Sequence, residues 1–143
     1  MSFLAKYKAE DTERDPFSLT ICQVSPTEPE FVIKIYPLTL KEQRKIYERA
    51  SFAVGGNRGP DRSLEKANRK FVDKVVTGWD GLSAANFNWL CRRSGVKLED
   101  GQTVDFTPDA AWFIYENALN ADFAQKITDA LEDWQDGSGE GND

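Results

Sequence analysis

The sequence contains no histidine. Histidine is the side chain whose ordinary pKa suits proton transfer near neutrality, and it is the commonest metal ligand. Its absence excludes Ser-His-Asp and Cys-His catalysis. Only two cysteines are present, Cys22 and Cys91, and they form no CxxC pair. With no histidine beside them they cannot complete the usual zinc ligand sets. Two thiols so far apart read as buried free thiols of a reducing compartment. Long apolar runs are also lacking, since none approaches the roughly 20 residues needed to cross a bilayer. The opening residues, MSFLAKYKAEDTERDP, carry charges where a signal peptide would need its apolar stretch. Motifs are missing too. There is no GxSxG and no HExxH, and the glycine loop Gly55–Pro60 lacks the spacing and the Gly-Lys-Ser/Thr end of a P-loop. The acidic Glu99-Asp100-Gly101 lacks the spaced oxygen ligands of a calcium loop. No catalytic residue, metal ligand or cofactor is therefore expected, and the chain reads as a non-enzyme.

What is present is enough apolar material for one domain: 143 residues, 40% hydrophobic and 12% aromatic. The net charge of −6 is unevenly distributed. Residues 39–79 carry ten Lys/Arg against five Asp/Glu, whereas residues 98–143 carry one Lys against twelve Asp/Glu. This asymmetry fits an electrostatic contact between the two halves, within one molecule or between copies.

Residues 1–17 read as a flexible N-terminal segment, residues 18–134 as a single α+β domain, and residues 135–143 as a disordered acidic, Gly-rich tail. Within the domain, 18–24 alternates and 30–36 is β-branched and aromatic. Ser25-Pro26-Thr27-Glu28-Pro29 is turn material between them. Together they predict a small β-hairpin, which must pack on helices or pair with further strands to be stable. The hairpin is expected to sit on a mostly α-helical domain of about five helices.

Thr39 and Glu42 form a capping-box pattern opening a helix over 40–54, with Leu40, Ile46, Tyr47, Ala50 and Val54 near one face. A second helix over 61–76 has Leu64, Ala67, Phe71, Val72 and Val75 as its apolar stripe. Opposite lie Arg62, Lys66, Arg69, Lys70 and Lys74. These cations form either a polyanion-binding stripe, a solvated face, or a contact for the acidic half. An acidic protein argues against nucleic acid, and Arg62, Lys66, Arg69 and Lys70 are candidates for electrostatic self-association. Gly78 reads as the C-cap of this helix, followed by a Trp79-Asp80-Gly81 turn. Ser83 caps a helix of about twelve residues ending at Gly95. Residues 96–106 read as a hairpin around Asp100-Gly101.

Thr107-Pro108-Asp109 opens the next helix, with Thr as N-cap, Pro at the first position and Asp against the helix dipole. Its run Ala110–Tyr115, AAWFIY, is apolar all round, although one core needs only a stripe. The helix is either buried on two sides or offers aromatics to a partner. Aromatics are enriched in interface hot spots, so Trp112, Phe113 and Tyr115, with Trp134, are candidate partner-binding residues. The final helix, about 122–134, carries Phe123, Ile127, Ala130, Leu131 and Trp134 at helical spacing.

Three short motifs in order resemble tail assembly chaperones of long-tailed phages and prophages. They are Leu38-Thr39-Leu40-Lys41-Glu42-Gln43 after a strand, the corner Val75-Val76-Thr77-Gly78-Trp79-Asp80-Gly81, and Val104-Asp105-Phe106-Thr107-Pro108-Asp109 before the last helices. The resemblance covers roughly residues 30–134. It implies a non-enzymatic protein of the host bacterial cytoplasm that binds the tape measure protein and helps recruit tail tube protein. It also implies absence from the mature virion. The competing readings are another small morphogenesis protein, such as a head–tail connector or tail completion factor, and a nucleic-acid-binding regulator using the basic helix.

Overall fold

The computed structural model describes residues 14–54 and 60–139. Strands β1 (Phe17–Cys22) and β2 (Phe31–Ile35) form an antiparallel hairpin with Phe17 opposite Ile35 and Thr20 opposite Val32. Ile21 is an extra residue there, because Thr20 faces Val32 while Cys22 faces Phe31. Such a bulge bends the strand and leaves one residue unpaired. Lys126 donates to the Ile21 carbonyl at 2.6 Å, which satisfies the acceptor freed by the bulge. On β2 the side chains alternate: Phe31, Ile33 and Ile35 are buried, Val32 is half-buried and Lys34 is exposed.

Helix α1 (Leu40–Val54) starts at the predicted capping box. The Glu42 carboxylate accepts from the Thr39 N–H at 2.9 Å, and the Thr39 hydroxyl accepts from the Glu42 N–H at 3.2 Å. Helix α2 (Pro60–Val75) follows and packs along α1. Ala67, Phe71, Val72 and Val75 are buried as the stripe requires, but Leu64 remains 48% exposed. Leu40, also placed on an apolar face by spacing, is exposed as well. Of Ala50, Val54 and Arg62 only the helical backbone is described, and residues 1–13, 55–59 and 140–143 lie outside the described residues.

The sequence expectation fails at the corner after α2. Helix α2 ends at Val75 and passes directly into strand β3 (Val76–Trp79), so Gly78 lies in a strand and is not a C-cap. The reason is nonlocal. The free edge of β2 needs a partner, and β3 supplies it antiparallel, with Ile33 opposite Trp79 and Lys34 opposite Gly78. The Val75 carbonyl, orphaned at the helix end, accepts from the Tyr36 N–H at 2.8 Å. The sheet therefore has three strands in the order β1-β2-β3. The turn itself falls at Gly81, whose φ of +57° is left-handed.

Downstream, β4 (Leu82–Ser83) pairs antiparallel with β5 (Thr103–Val104). The expected hairpin within 96–106 is thus replaced by a ladder across 20 residues of chain. The Asp100-Gly101 turn survives, closed by the Gln102 N–H to the Glu99 carbonyl at 3.0 Å. Helix α3 (Ala84–Leu90) is capped by Ser83 as predicted but is shorter than expected, giving way to turns from Cys91 to Gly95. Helix α4 (Pro108–Asn117) begins at its Thr107 cap, whose hydroxyl accepts from the Ala110 N–H at 2.9 Å. A 3-10 turn at Asn120–Asp122 leads into α5 (Ala124–Gly139). That helix carries on through residues 135–139, where a disordered tail was expected. Gln135 is tied to the start of α1 by accepting from the Leu40 N–H at 3.1 Å.

The fold is α+β: among the described residues, five α-helices are interleaved with a three-stranded and a two-stranded sheet. Its core joins the buried face of β1 and β2 to Phe71, Val72 and Val75 of α2, Leu90 of α3, Ile114 of α4, and Phe123, Ile127 and Leu131 at α5. Trp79 sits in this core, edge-on to Phe31 and to Phe106, and its indole N–H donates to the Val104 carbonyl at 2.9 Å.

Candidate functional site

Helix α4 resolves the question raised by its all-round apolar run. Ala111 and Ile114, three residues apart, are buried and face the core. Phe113 turns to one flank and stacks on Phe87 of α3, with centroids 5.9 Å apart and planes at 16°. Trp112 and Tyr115 turn to the other flank, stacked on each other at 5.6 Å. All three aromatics outside the buried stripe are half-buried, so α4 is covered on more than one side.

The Trp112–Tyr115 flank meets α2. Together with Leu64, Glu65, Asn68 and Glu116 these two rings line an open trough of about 340 Å³. Its lining is mixed: two aromatic rings and the exposed Leu64 stand beside the carboxylates of Glu65 and Glu116 and the Asn68 amide. The trough is held from beneath. The Tyr47 hydroxyl of α1 donates to Asn68 Oδ1 at 2.7 Å. Burial, and then the neighbouring Tyr115 phenol, raise the Tyr47 pKa, and burial raises that of Tyr115, so both hydroxyls stay protonated. Arg69 stands 5.8 Å from the Trp112 ring and bridges the chain's two halves: its Nη2 donates to Asp109 at 2.9 Å and its Nε to Asp73 at 3.0 Å.

The four proposed aromatic anchors therefore do not form one surface. Trp112 and Tyr115 share the trough, Phe113 belongs to the α3 contact, and Trp134 lies under Arg14, whose guanidinium is 5.8 Å from its ring and equally close to Tyr36. The basic stripe divides as well. Lys66 and Lys70 are exposed and, among the described residues, hold no ion pair, whereas Arg69 is engaged internally. Lys70 and Lys74 join Lys45, Glu42, Ile46 and Leu38 around a separate cleft of about 270 Å³ between α1 and α2. Part of the charge asymmetry is thus neutralised within the molecule, through Arg69–Asp109 and Arg92–Asp122.

Neither thiol is poised for chemistry. Cys22 and Cys91 are free, and burial pushes the pKa of each up to about 11, so both are protonated near neutrality. Among the described residues no group of three or more His, Cys, Asp or Glu side chains could hold a metal ion. Among them, too, no helix is long and apolar enough to cross a membrane.

Two features escaped the sequence patterns. Asn86 is fully buried and acts as a staple, accepting from the Val24 N–H at 3.1 Å and donating to the Pro29 carbonyl at 2.9 Å. Trp89, on the helix that spacing credits only with Phe87, Leu90 and Cys91, is 37% exposed beside a cleft. No protein-family model, curated protein or solved structure matches the chain.

Proposed function

We propose that this protein is a tail assembly chaperone of the long-tailed phage type, which binds the tape measure protein and helps recruit tail tube subunits in the host cytoplasm. It acts by binding alone, without an active site, and leaves before the virion matures. The observation that carries this reading is the trough in which Leu64, Trp112 and Tyr115 share a lining with Glu65 and Glu116. A long helical client has an apolar face that aggregates when unpaired. An apolar groove with a charged rim takes such a face in the helix-in-groove mode, with anchors spaced one helical turn apart. Shielding a client also requires release, and an open trough between two helices favours a reversible grip over burial.

The order of the three sequence motifs supports the same reading, because each falls at a junction of the fold: the cap of α1, the α2–β3–β4 corner, and the cap of α4. The internal pairing of Arg69 weighs against a regulator that binds nucleic acid through the α2 stripe.

The test is co-expression with a tape measure protein. Leu64→Ala alone, and Trp112→Ala combined with Tyr115→Ala, are each expected to weaken co-purification roughly tenfold or more. Leu64 is half-exposed, so its loss leaves the fold intact. Unchanged co-purification with a normal circular dichroism spectrum refutes the proposal. Detection of the chain in purified particles by mass spectrometry would replace it with a connector or completion factor.

A further inference from the structure

The largest of the three clefts is not the trough but one beside α3. It encloses about 520 Å³ and is lined by Asn88, Trp89, Arg92, Gly95, Val96 and Lys97. Trp89 and Val96 are 37% and 45% exposed, so two of the large hydrophobic side chains left open to solvent share one concavity. An isolated exposed hydrophobe needs no explanation, but a Trp and a Val facing one cleft do.

The cleft is held in shape before anything enters it. The Asn88 amide clamps Leu98 in both directions, donating to its carbonyl at 2.9 Å and accepting from its N–H at 2.8 Å. Ser94 Oγ donates to the Cys91 carbonyl at 2.8 Å and accepts from the Val96 N–H at 3.0 Å. Arg92 lies over the Trp89 ring at 4.6 Å, donates to the Trp89 carbonyl at 2.6 Å, and is anchored on Asp122 at 3.1 Å. A site with its side chains already ordered loses less entropy on binding.

Its charge is opposite to that of the whole. The lining has two cations, Arg92, which is paired with Asp122, and Lys97, and no carboxylate; Arg93, next to Arg92 in the chain and outside the lining, is exposed as well, on a protein of net charge −6. We propose that this cleft docks an acidic amphipathic helix of another protein, one apolar side chain entering between Trp89 and Val96 and flanking carboxylates meeting Arg93 and Lys97. Trp and Arg at the centre of a concave patch are the residue types that carry interface energy. A second copy of this chain is a poorer occupant. Among the described residues, its acidic ridge on α5, Asp129, Glu132, Asp133 and Asp136, has no fully exposed apolar side chain, because Ala130 and Trp134 between them are half-buried against the fold. Nucleic acid fits poorly as well: Arg92 already covers one face of the indole on which a base would stack. This surface is separate from the Leu64 trough, so it stands or falls independently of the chaperone reading.

The experiment uses the full chain, labelled with ¹⁵N, and a synthetic 16-residue helical peptide bearing Leu and Phe one turn apart among glutamates. A second peptide carries lysine at every glutamate position. The Trp89 indole N–H resonance is assigned by its loss in Trp89→Ala. The glutamate peptide is expected to move that resonance and leave the Trp79 and Trp112 indoles unmoved. Trp89→Ala, and Arg93→Glu combined with Lys97→Glu, are each expected to raise the Kd roughly tenfold or more. The second variant changes only exposed side chains and leaves the ring in place as a reporter. No shift, an equal shift with the lysine peptide, or full affinity in the charge-reversed variant overturns the proposal. A sedimenting dimer abolished by Trp89→Ala would hand the cleft to a second copy. A shift produced by an oligonucleotide and not by the glutamate peptide would hand it to nucleic acid.

Discussion

Gly78 and Gly81 are three residues apart, and replacing each with Ala should have opposite effects. Gly78 lies in β3 opposite Lys34, its φ is not left-handed, and a Cβ built there meets no atom within 4 Å. Alanine then only restricts the unfolded chain, a gain of about 0.4–1 kcal/mol. Gly81 also has open space, but its φ is +57°, where a Cβ presses on the following carbonyl at a cost of about 1–2 kcal/mol. Offset by the same unfolded-state gain, the net loss is about 1 kcal/mol. The shared unfolded-state gain cancels, so the two variants should differ by the strain alone, about 1–2 kcal/mol, which is on the order of 3–8 °C in Tm for a domain of this size. Urea unfolding followed by tryptophan fluorescence, with thermal melts by circular dichroism, measures both. Were Gly78 a left-handed helix C-cap, its gain would become a loss of about 1 kcal/mol and the two variants would be alike. A Gly78→Ala variant no more stable than Gly81→Ala refutes β3 and, with it, the three-stranded sheet.

Two further outcomes follow from single residues. Glu42 is pushed up by burial but pulled down further by the hydrogen bonds from Arg14 and Thr39, so its folded pKa lies below the ordinary 4.5. Its contribution is complete above pH 4.5 and is lost as pH falls through the lowered folded value, so the acid limb of a stability–pH curve should flatten in Glu42→Gln. An unchanged acid limb would count against the capping box. Asn86→Ala removes both arms of the buried staple and should cost about 1–3 kcal/mol in urea unfolding, with the loop 23–29 losing amide exchange protection first. Loss of stability without any change in that loop's exchange would argue against the staple.

The parts of the fold legible in the sequence are those that a few adjacent residues decide. Thr39 with Glu42 and Thr107 with Pro108 mark helix starts because the capping groups satisfy backbone N–H groups within the same turn. The stripes Phe71-Val72-Val75 and Phe123-Ile127-Leu131 mark buried faces because helical spacing alone sets them side by side. The candidate site was half legible. The aromatic excess of α4 singled out Trp112 and Tyr115, but a run of six apolar residues carries no sign of which flank meets which helix. Phe113 is spent on Phe87, and Trp134 on the Arg14 contact, for reasons that lie 26 and 120 residues away in the chain.

By itself, then, the sequence determined the capped helix starts, most of the buried stripes, and the α+β class with its N-terminal hairpin. Only the tertiary structure decided that Val76–Trp79 is a strand, that β4 pairs with β5, that α5 runs on to Gly139, and that Leu64 and Trp89 stay open to solvent. Each of these depends on a partner distant in sequence. An edge of β2 calls for a third strand, a Leu40 N–H finds Gln135, and a position on an apolar stripe is buried only if another element arrives to cover it.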